Sequence, residues 1–302
     1  MSVGTRFIDY GDAKMNVLKV TFLMLALMAV FMVLGYYFGG QQGLVLAFLL
    51  ASAMNLFSYW YSDKMVLKMY RGRQVSESDH PRLFRIVKRV TTQAMLPMPK
   101  VYIVPSRAPN AFATGRNAEH AAVAVSEGLL ELLNDDELEG VIGHEVAHIQ
   151  NKDMLIGTIA ATFAGAIGIL AMIIRWGAIF GGYGRSSDRE GGLAGLLIAV
   201  IVAPIVAVLL QTAISRQREY KADAEGGRIT GKYTSLATAL EKLHRSPVQL
   251  NLDRRPGTAN LMIVNPLSGK GITSLFSTHP PVEKRIARLK ELAQIAPYTT
   301  YA

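Results

Sequence analysis

The chain has 302 residues, a formal net charge of +9 and a hydrophobic content of 50%, while only 18% of its residues are charged. The mean hydropathy of +0.24 excludes an ordinary soluble domain and indicates membrane-spanning segments. Since the chain has no cysteine, a disulfide framework and a cysteine-ligated zinc site are both excluded. The basic excess could indicate nucleic-acid binding, but no basic patch interleaved with aromatic residues is present, so we expect no nucleic-acid partner.

The first membrane segment is predicted within residues 20–62, which contain no charged side chain. This run is too long for one transmembrane helix, and a glycine-rich break at 39–43 lies near its middle. We therefore predict two helices, 19–38 and 44–61, joined by a tight turn. A cleaved signal peptide is the alternative, but the apolar run is longer than a signal core and no cleavage site leads into a polar start, which favours an uncleaved span.

Two further uncharged segments, Met154–Ile174 and Gly191–Ser215, are each long enough to cross a bilayer. Together with the first pair they predict four transmembrane helices arranged as two hairpins. Two crossings return the chain to the side that it left. The polar segments on either side of this second hairpin should therefore lie on one membrane face.

Basic residues close to the spans predict the orientation of the protein. The turn at 39–43 has none and the loop at 175–190 has few, whereas many follow the second and fourth spans: Lys64, Lys68, Arg71, Arg73, Arg82, Arg85, Lys88, Arg89, Arg216, Arg218, Lys221 and Arg228. We therefore expect a multi-pass protein whose termini and active site are cytoplasmic. Part of its positive charge would bind the anionic surface of the lipid bilayer.

The polar segments predict a fold that is mainly α with a small β-sheet. Hydrophobic periodicity and flanking prolines predict helices at 81–92, 234–244 and 281–294, a strand at 101–104, a hairpin of 111–114 with 121–125, and a long loop at 245–277. Asn134 is predicted to cap a helix that runs to Gln150, with Glu137 as its capping-box partner.

These elements divide the chain into four parts. They are an N-terminal transmembrane hairpin, a first polar part, a second transmembrane hairpin and a second polar part, at residues 1–62, 63–153, 154–215 and 216–302. The two polar parts must pack together if they share one site.

The helix that ends at Gln150 carries a His-Glu-x-x-His pentapeptide. Residues four apart share one helix face, so His144 and His148 can direct two imidazoles at one cation. Glu145 follows the first ligand and is predicted to be the catalytic base, which takes a proton from the attacking water and later gives it to the leaving amine. The competing interpretation is a helix with two solvated histidines.

An acidic pair just past the predicted fourth span favours a metal site over two solvated histidines. Glu219 and Asp223 are also four apart, and we predict Glu219 as the third metal ligand. Asp223 is predicted to accept an N–H from one of the histidines, which fixes the tautomer of that ring. Imidazole and carboxylate ligands without cysteine predict zinc, one ion per chain. The alternative is a solvated acidic face that balances Arg218 and Lys221.

Four motifs occur together in this chain. They are Asn110–Gly115 (NAFATG), the pentapeptide 144–148, Arg218–Asp223 (REYKAD) and Thr278–Pro281 (THPP). In this order, and with the four predicted spans, they resemble the HtpX-type membrane zinc metalloproteases, relatives of the eukaryotic CAAX prenyl endopeptidases. The likeness covers nearly the whole chain.

The resemblance implies a cytoplasmic metalloprotease domain of the gluzincin type on four transmembrane helices in the bacterial cell inner membrane. It implies a zinc-dependent endopeptidase that cuts misfolded or damaged membrane proteins from the cytoplasmic side, as part of stress-linked protein quality control. It also implies a functional link to the ATP-dependent membrane protease FtsH.

Two further elements are predicted to contribute to the site. An exposed edge strand would bind an extended substrate through main-chain hydrogen bonds, with an ordinary hairpin strand as the alternative; its residues are Asn110, Ala111, Phe112 and Ala113. His279 would either donate to the oxyanion as a catalytic residue or anchor its own loop. Arg285 would hold that loop against an acidic partner.

Two other functions fit parts of this pattern. A zinc-binding transporter or sensor would need polar residues within its spans, which are nearly free of them, and would have no use for Glu145. A prenyl-type endopeptidase with a narrow substrate range would use more spans to enclose an intramembrane chamber. The sequence therefore favours a membrane-bound zinc endopeptidase.

Overall fold

The computed structural model describes residues 10–155, 216–246 and 280–299. Its helices are α1 Tyr10–Met69, α2 Pro81–Gln93, α3 Glu127–Leu132, α4 Asp135–Gln150, α5 Arg216–Thr230, α6 Tyr233–Arg245 and α7 Val282–Thr299. Its strands are β1 Arg73–Gln74, β2 Lys100–Val104, β3 Ala111–Thr114 and β4 Ala122–Ser126, with a short 3₁₀ helix at Ala118–His120. The predicted class, mainly α with a small β-sheet, is confirmed for these residues.

Helix α1 is a hairpin of two helices that meet at Gly40, whose φ of 56° and ψ of −143° reverse the chain. The two arms touch closely, because a Cβ built on Gly35 would lie only 2.5 Å from the carbonyl oxygen of Gly43. Farther along, the Asn55 side-chain amide donates to the Met24 carbonyl at 3.2 Å. The predicted helix pair with its glycine-rich turn is therefore present.

The second arm of the hairpin, Gly39–Met69, is long and apolar enough to cross a membrane, and no other helix in the described ranges meets that criterion. It continues beyond the predicted end at residue 61 because no glycine or proline follows before Gly72. Apart from Met154 and Leu155, the predicted third and fourth spans lie outside the described residues.

The four strands form one sheet in the order β1-β2-β4-β3. Strand β3 is antiparallel to β4, as the predicted hairpin requires, and Ala111 lies opposite Val125. Strand β2 pairs in parallel with β4, so Lys100 and Ala122 share one end of the sheet with Thr114. The sequence did not predict this parallel pairing, the short β1 or helix α3.

Residues alternate between the two faces of the sheet and build two cores. One face packs against the helices in a large core whose members include Leu83, Val87, Val101, Ile103, Ala111, Ala113, Val123, Val125, Val141 and Leu236. The other face packs against the last turns of α1 in a smaller core of Val66, Leu67, Val104, Phe112, Ala122 and Ala124. The sheet and the end of α1 are therefore joined by buried side chains.

Helix α4 begins with the predicted capping box. The Asn134 side chain accepts from the Glu137 N–H at 2.9 Å, and the Glu137 carboxylate accepts from the Asn134 N–H at 3.0 Å. The helix is buried along most of its length. Its histidines therefore lie in the interior of the domain rather than on a solvated surface.

Candidate active site

Two glycines bring helices α4 and α5 into backbone contact. A Cβ built on Gly226 would lie 2.6 Å from the backbone nitrogen of His144, and one built on Gly143 would lie 2.9 Å from the Gly226 carbonyl oxygen. Any larger residue at either position would push the helices apart. The acidic residues of α5 that precede Gly226 therefore reach the histidines of α4.

The three predicted metal ligands converge at this crossing. The Nε2 atoms of His144 and His148 are 3.2 Å apart, and they lie 3.6 and 3.7 Å from the two carboxylate oxygens of Glu219. Ligands at about 2.0–2.1 Å from a tetrahedral zinc are separated from each other by roughly 3.4 Å. The spacing and the donor set of two imidazoles and one carboxylate therefore fit a zinc ion.

The ring of His144 is held from behind by an acidic residue, as the sequence predicts for Asp223. His144 Nδ1 lies 2.9 Å from the Asp223 carboxylate. The same carboxylate accepts two hydrogen bonds, at 2.7 and 2.6 Å, from the guanidinium of Arg285 on α7. Arg285 is 1% exposed and also lies 3.6 Å from Glu219. Arg285 thus links Glu219, the third predicted ligand, to Asp223, which contacts the first predicted ligand.

The buried Asp223 carboxylate and Arg285 guanidinium form an ion pair. Burial alone would raise the pKa of the Asp223 carboxyl, but the charge and hydrogen bonds of Arg285 lower it to about 2. Burial likewise opposes the charge on Arg285, and Asp223 reverses that effect and raises the pKa of the guanidinium. The pair is therefore ionised, which leaves His144 Nδ1–H facing a carboxylate and Nε2 free to bind a cation.

The ring of His148 is held by Asp153, which the sequence did not predict. Its Nδ1 lies 3.0 Å from the Asp153 carboxylate. Helix α4 ends in a Schellman-type turn in which Lys152 adopts a left-handed φ of 57° and the Asp153 N–H donates to the His148 carbonyl at 3.3 Å. The turn folds the chain back so that Asp153 lies beside the last histidine.

Asp153 has a strong effect on its partner. Burial would lower the pKa of the His148 imidazole, but the charge and hydrogen bond of Asp153, together with the charges of Glu219 and Glu145, outweigh burial and raise that pKa to about 10. In the metal-free protein this ring is therefore protonated at neutral pH. A metal ion must displace that proton to bind at Nε2.

Glu145 lies beside the three predicted ligands but is not itself part of that cluster. Its carboxylate is buried and accepts a hydrogen bond of 2.8 Å from the Ala113 N–H on β3. Burial raises the pKa of this carboxyl, and the neighbouring histidines partly oppose that effect. A base with a raised pKa and a fixed orientation suits proton transfer near neutral pH.

The predicted substrate strand is an edge strand, but it is not exposed. Strand β3 is outermost in the sheet, while its side chains and Asn110 are buried. The reason is that Phe112 packs beneath α1, with its ring 4.9 Å from that of Tyr70, while Ala111 and Ala113 face the large core. An incoming peptide could therefore meet only the backbone of β3, and the Ala113 N–H is already bonded to Glu145.

Of the two other predicted site residues, Arg285 is described by the structure and His279 is not. Arg285 has an acidic partner as expected, and that partner is Asp223 at the site itself. His279 lies outside the described residues. The Asp153 contact and the glycine crossing were missed; Gly143 and Gly226, each within a few residues of a predicted site residue, were the available signal for the second.

Comparisons with known proteins agree with this geometry. The model of peptidase family M48 matches residues 77–293, which include every site residue described above. The "Protease HtpX homolog" of Desulfatibacillum aliphaticivorans is 54% identical over 91% of this chain and 89% of its own length. A protein with the same description from Pyrococcus furiosus is 52% identical over 90% of this chain and 94% of its own length.

Among solved structures, Ste24p of S. mikatae has a similar fold, with a TM-score of 0.50 and 15% sequence identity. The similarity covers 91% of this chain, which spans 65% of the length of that protein. The long match to the M48 model and the high identity to curated relatives establish the relationship. This chain therefore belongs to peptidase family M48 and is a metalloprotease of the HtpX type.

Proposed function

We propose that this metalloprotease is a zinc-dependent endopeptidase of the bacterial inner membrane that hydrolyses misfolded or damaged membrane proteins from the cytoplasmic side. The observation that carries the proposal is the convergence of His144, His148 and Glu219 beside the Glu145 carboxylate. Two imidazoles and one carboxylate leave a tetrahedral zinc one open position, which is typical of catalytic rather than structural sites.

His144, His148 and Glu219 would hold the ion in this mechanism. When bound, zinc polarises the scissile carbonyl and makes water acidic enough to be deprotonated near neutral pH. Asp223 and Asp153 fix the ring orientations, since each accepts from the nitrogen that faces away from the ion. Arg285 keeps the carboxylate of Asp223 in place.

Glu145 is the proton carrier. Its carboxylate takes a proton from the attacking water and delivers that proton to the nitrogen of the leaving amine. The hydrogen bond from Ala113 fixes the position of this carboxylate before substrate binds. The same bond places the base at the edge of β3, where an extended peptide would add by main-chain pairing.

The site geometry also supports four spans with a cytoplasmic active site. Helices α4 and α5 are in contact at Gly143 and Gly226, so both must lie on the same side of any membrane that the chain crosses between them. An even number of crossings meets this requirement. The basic residues after α1 and at the start of α5 then favour the cytoplasmic face.

Recognition through a backbone edge tolerates many sequences, which suits an enzyme that removes damaged proteins. A role in stress-linked quality control and a functional link to FtsH are part of this proposal. Both rest on the family resemblance of the sequence motifs.

The decisive experiment compares wild type with Glu145→Gln in purified form. The variant should retain one zinc per chain by elemental analysis and lose hydrolysis of casein and of an unfolded membrane substrate, because the ligands remain and the base is gone. Glu131→Gln, on the exposed surface of α3, serves as the control and should retain activity. Full proteolysis by Glu145→Gln would reject the proposed mechanism.

A separate experiment tests the topology. A reporter fused after Gly40 should be external and one fused after Tyr70 should be cytoplasmic. The reverse pattern would reject the proposed orientation while leaving the zinc chemistry untouched.

A further inference from the structure

The last turns of α1 run along one face of the sheet and define which end of the sheet is nearest the membrane. The Arg116 guanidinium, just past the end of β3, stacks 4.5 Å from the ring of Trp60. Ten residues later, in the turn that directly follows α1, Tyr70 packs against Phe112 in the middle of β3. Helix α1 therefore enters the domain at Trp60 and passes over the sheet towards Tyr70.

Trp60 marks the level of the membrane interface. Residues 44–62 contain no charge and form about 30 Å of helix, the thickness of a hydrocarbon core. Tyr59, Trp60 and Tyr61 end this run, and Lys64 lies 5.0 Å from the ring of Tyr61. Adjacent aromatic and basic residues of this kind typically occupy the headgroup region.

A second exposed feature lies at the same end of the sheet. The loop between α2 and β2 carries Met95, which is 71% exposed, and Met98, which is 37% exposed. In the described part of the chain outside α1, Ile295 is the one other exposed large apolar side chain. The loop leads into β2 at Lys100, which is level with Ala122 and Thr114 in the sheet register.

We define the interfacial patch as Met95, Met98, Lys100 and Arg116, and we propose that it rests on the headgroup layer of an anionic bilayer as a membrane contact in addition to the spans. Methionine side chains are apolar and flexible enough to adapt to an irregular surface, and basic side chains are attracted to anionic headgroups. Arg116 of the interfacial patch contacts Trp60 of the aromatic belt, and Lys100 lies at the same end of the sheet. A bilayer is therefore the partner that its apolar and basic groups fit together.

The direction of α4 agrees with this placement. Helix α3 follows the opposite end of β4, at Ser126, and α4 starts beside it. Helix α4 then runs back past Ala113 to its histidines and ends near the predicted third span. The catalytic helix therefore points towards the membrane that the interfacial patch contacts.

This contact sets the distance between the catalytic site and the bilayer surface, an inference that rests on the proposed function. Ala113, which holds Glu145, is three residues before Arg116, and three residues of chain span at most about 10 Å. Peptide bonds would then be cut within about 10 Å of the headgroups. The favoured substrate class is the segment of a membrane protein that directly adjoins its own span.

The absence of native cysteine permits a direct test by single-site labelling. Full-length Met95→Cys, with Glu145→Gln to prevent self-cleavage, is labelled with an environment-sensitive fluorophore and reconstituted in phosphatidylcholine–phosphatidylglycerol vesicles. Glu131→Cys, exposed on α3 at the far end of the sheet, is the matched control. We expect blue-shifted emission and quenching by spin-labelled lipid at residue 95 and neither effect at residue 131. Equal, water-like emission at both positions would overturn the proposal.

A charge-reversal variant tests the basic half of the interfacial patch. Lys100→Glu combined with Arg116→Glu should reduce lipid quenching of the label at residue 95 and remove its dependence on phosphatidylglycerol. Unchanged quenching would overturn the assignment of these two residues to the contact. Neither readout requires proteolysis, so both are independent of whether the zinc mechanism is correct.

Discussion

The two histidines of the site are supported in different ways. His148 is oriented by Asp153, which comes from the turn that ends the same helix. His144 is oriented by Asp223 and Arg285, which lie on two helices far away in the chain. The His148 side chain is 17% exposed, whereas that of His144 is 3% exposed. One half of the site is therefore local and the other depends on tertiary assembly.

This difference separates two physical requirements. A local turn can fix the ring of a ligand at the cost of ordering a few residues. A buried carboxylate and guanidinium need each other, because either charge alone in the interior is strongly unfavourable. Perturbation of the tertiary half should therefore destabilise the metal-free fold wherever Asp223 and Arg285 are both charged, as well as weaken metal binding. Perturbation of the local half should weaken metal binding and should destabilise the metal-free fold only where His148 is protonated.

Removal of the third ligand should have the largest effect. Glu219→Ala leaves two imidazoles, too few for stable zinc, so metal content after dialysis should fall close to zero and proteolysis with it. Glu225→Ala, on the same helix but paired with Arg228 at the surface, should retain both. Unchanged zinc content in Glu219→Ala would reject this residue as a ligand.

Arg285→Ala should destabilise the fold as well as the site. The Asp223 carboxylate would remain buried without its guanidinium, at a cost of about 3–5 kcal/mol in the free energy of unfolding. Arg288→Ala is the control on the same helix, because this exposed guanidinium lies over the Tyr220 ring and should contribute only about 0.5–1 kcal/mol. Denaturant titration of the metal-free proteins measures both, and similar losses would contradict the distinction.

Asp223→Asn and Asp153→Asn compare the two supports directly. Loss of a carboxylate behind a ligating histidine typically lowers metal affinity by about 10–100-fold, and chelator competition measures this change. Both variants should lose affinity. In alkaline solution, where the pair of His148 and Asp153 no longer contributes, only Asp223→Asn should also lose thermal stability, because the buried Arg285 guanidinium loses the carboxylate to which it donates. Equal melting temperatures for the two metal-free variants in alkaline solution would show that the halves do not differ in this way.

The two halves should respond to pH in opposite directions in the metal-free protein. The pKa of Asp223 is lowered from 3.8 to about 2, so its contribution to stability is present above 3.8 and is lost as the pH falls through 2. The pKa of His148 is raised from 6.5 to about 10, so its contribution is complete below 6.5 and is lost as the pH rises through 10. Melting curves of wild type and Asp153→Asn should therefore differ most below pH 6.5 and converge in alkaline solution. A constant difference across the whole range would contradict this.

Features that depend on neighbouring residues could be predicted from the sequence, and features that depend on distant pairing could not. The capping box of Asn134 and Glu137 and the shared face of His144 and His148 follow from helical spacing. The left-handed Lys152 that delivers Asp153 has no such signature, because the position carries neither glycine nor asparagine.

The sheet shows the same division. The β3–β4 hairpin is a local structure with a glycine-containing connection and was predicted. The parallel pairing of β2 with β4 joins strands separated by β3, and no spacing rule specifies it. The burial of β3 follows from the packing of Phe112 beneath the end of α1 and of Ala111 and Ala113 in the large core, contacts that join residues distant in the sequence.

The backbone contact at Gly143 and Gly226 has a consequence for how the enzyme is made. During translation both histidines of α4 are synthesised before α5, because 65 residues separate the two helices in the sequence. Until then the newly made polypeptide has an incomplete ligand set and cannot hydrolyse its neighbours. The His144, His148 and Glu219 cluster is therefore complete only after α5 has been synthesised and has packed against α4.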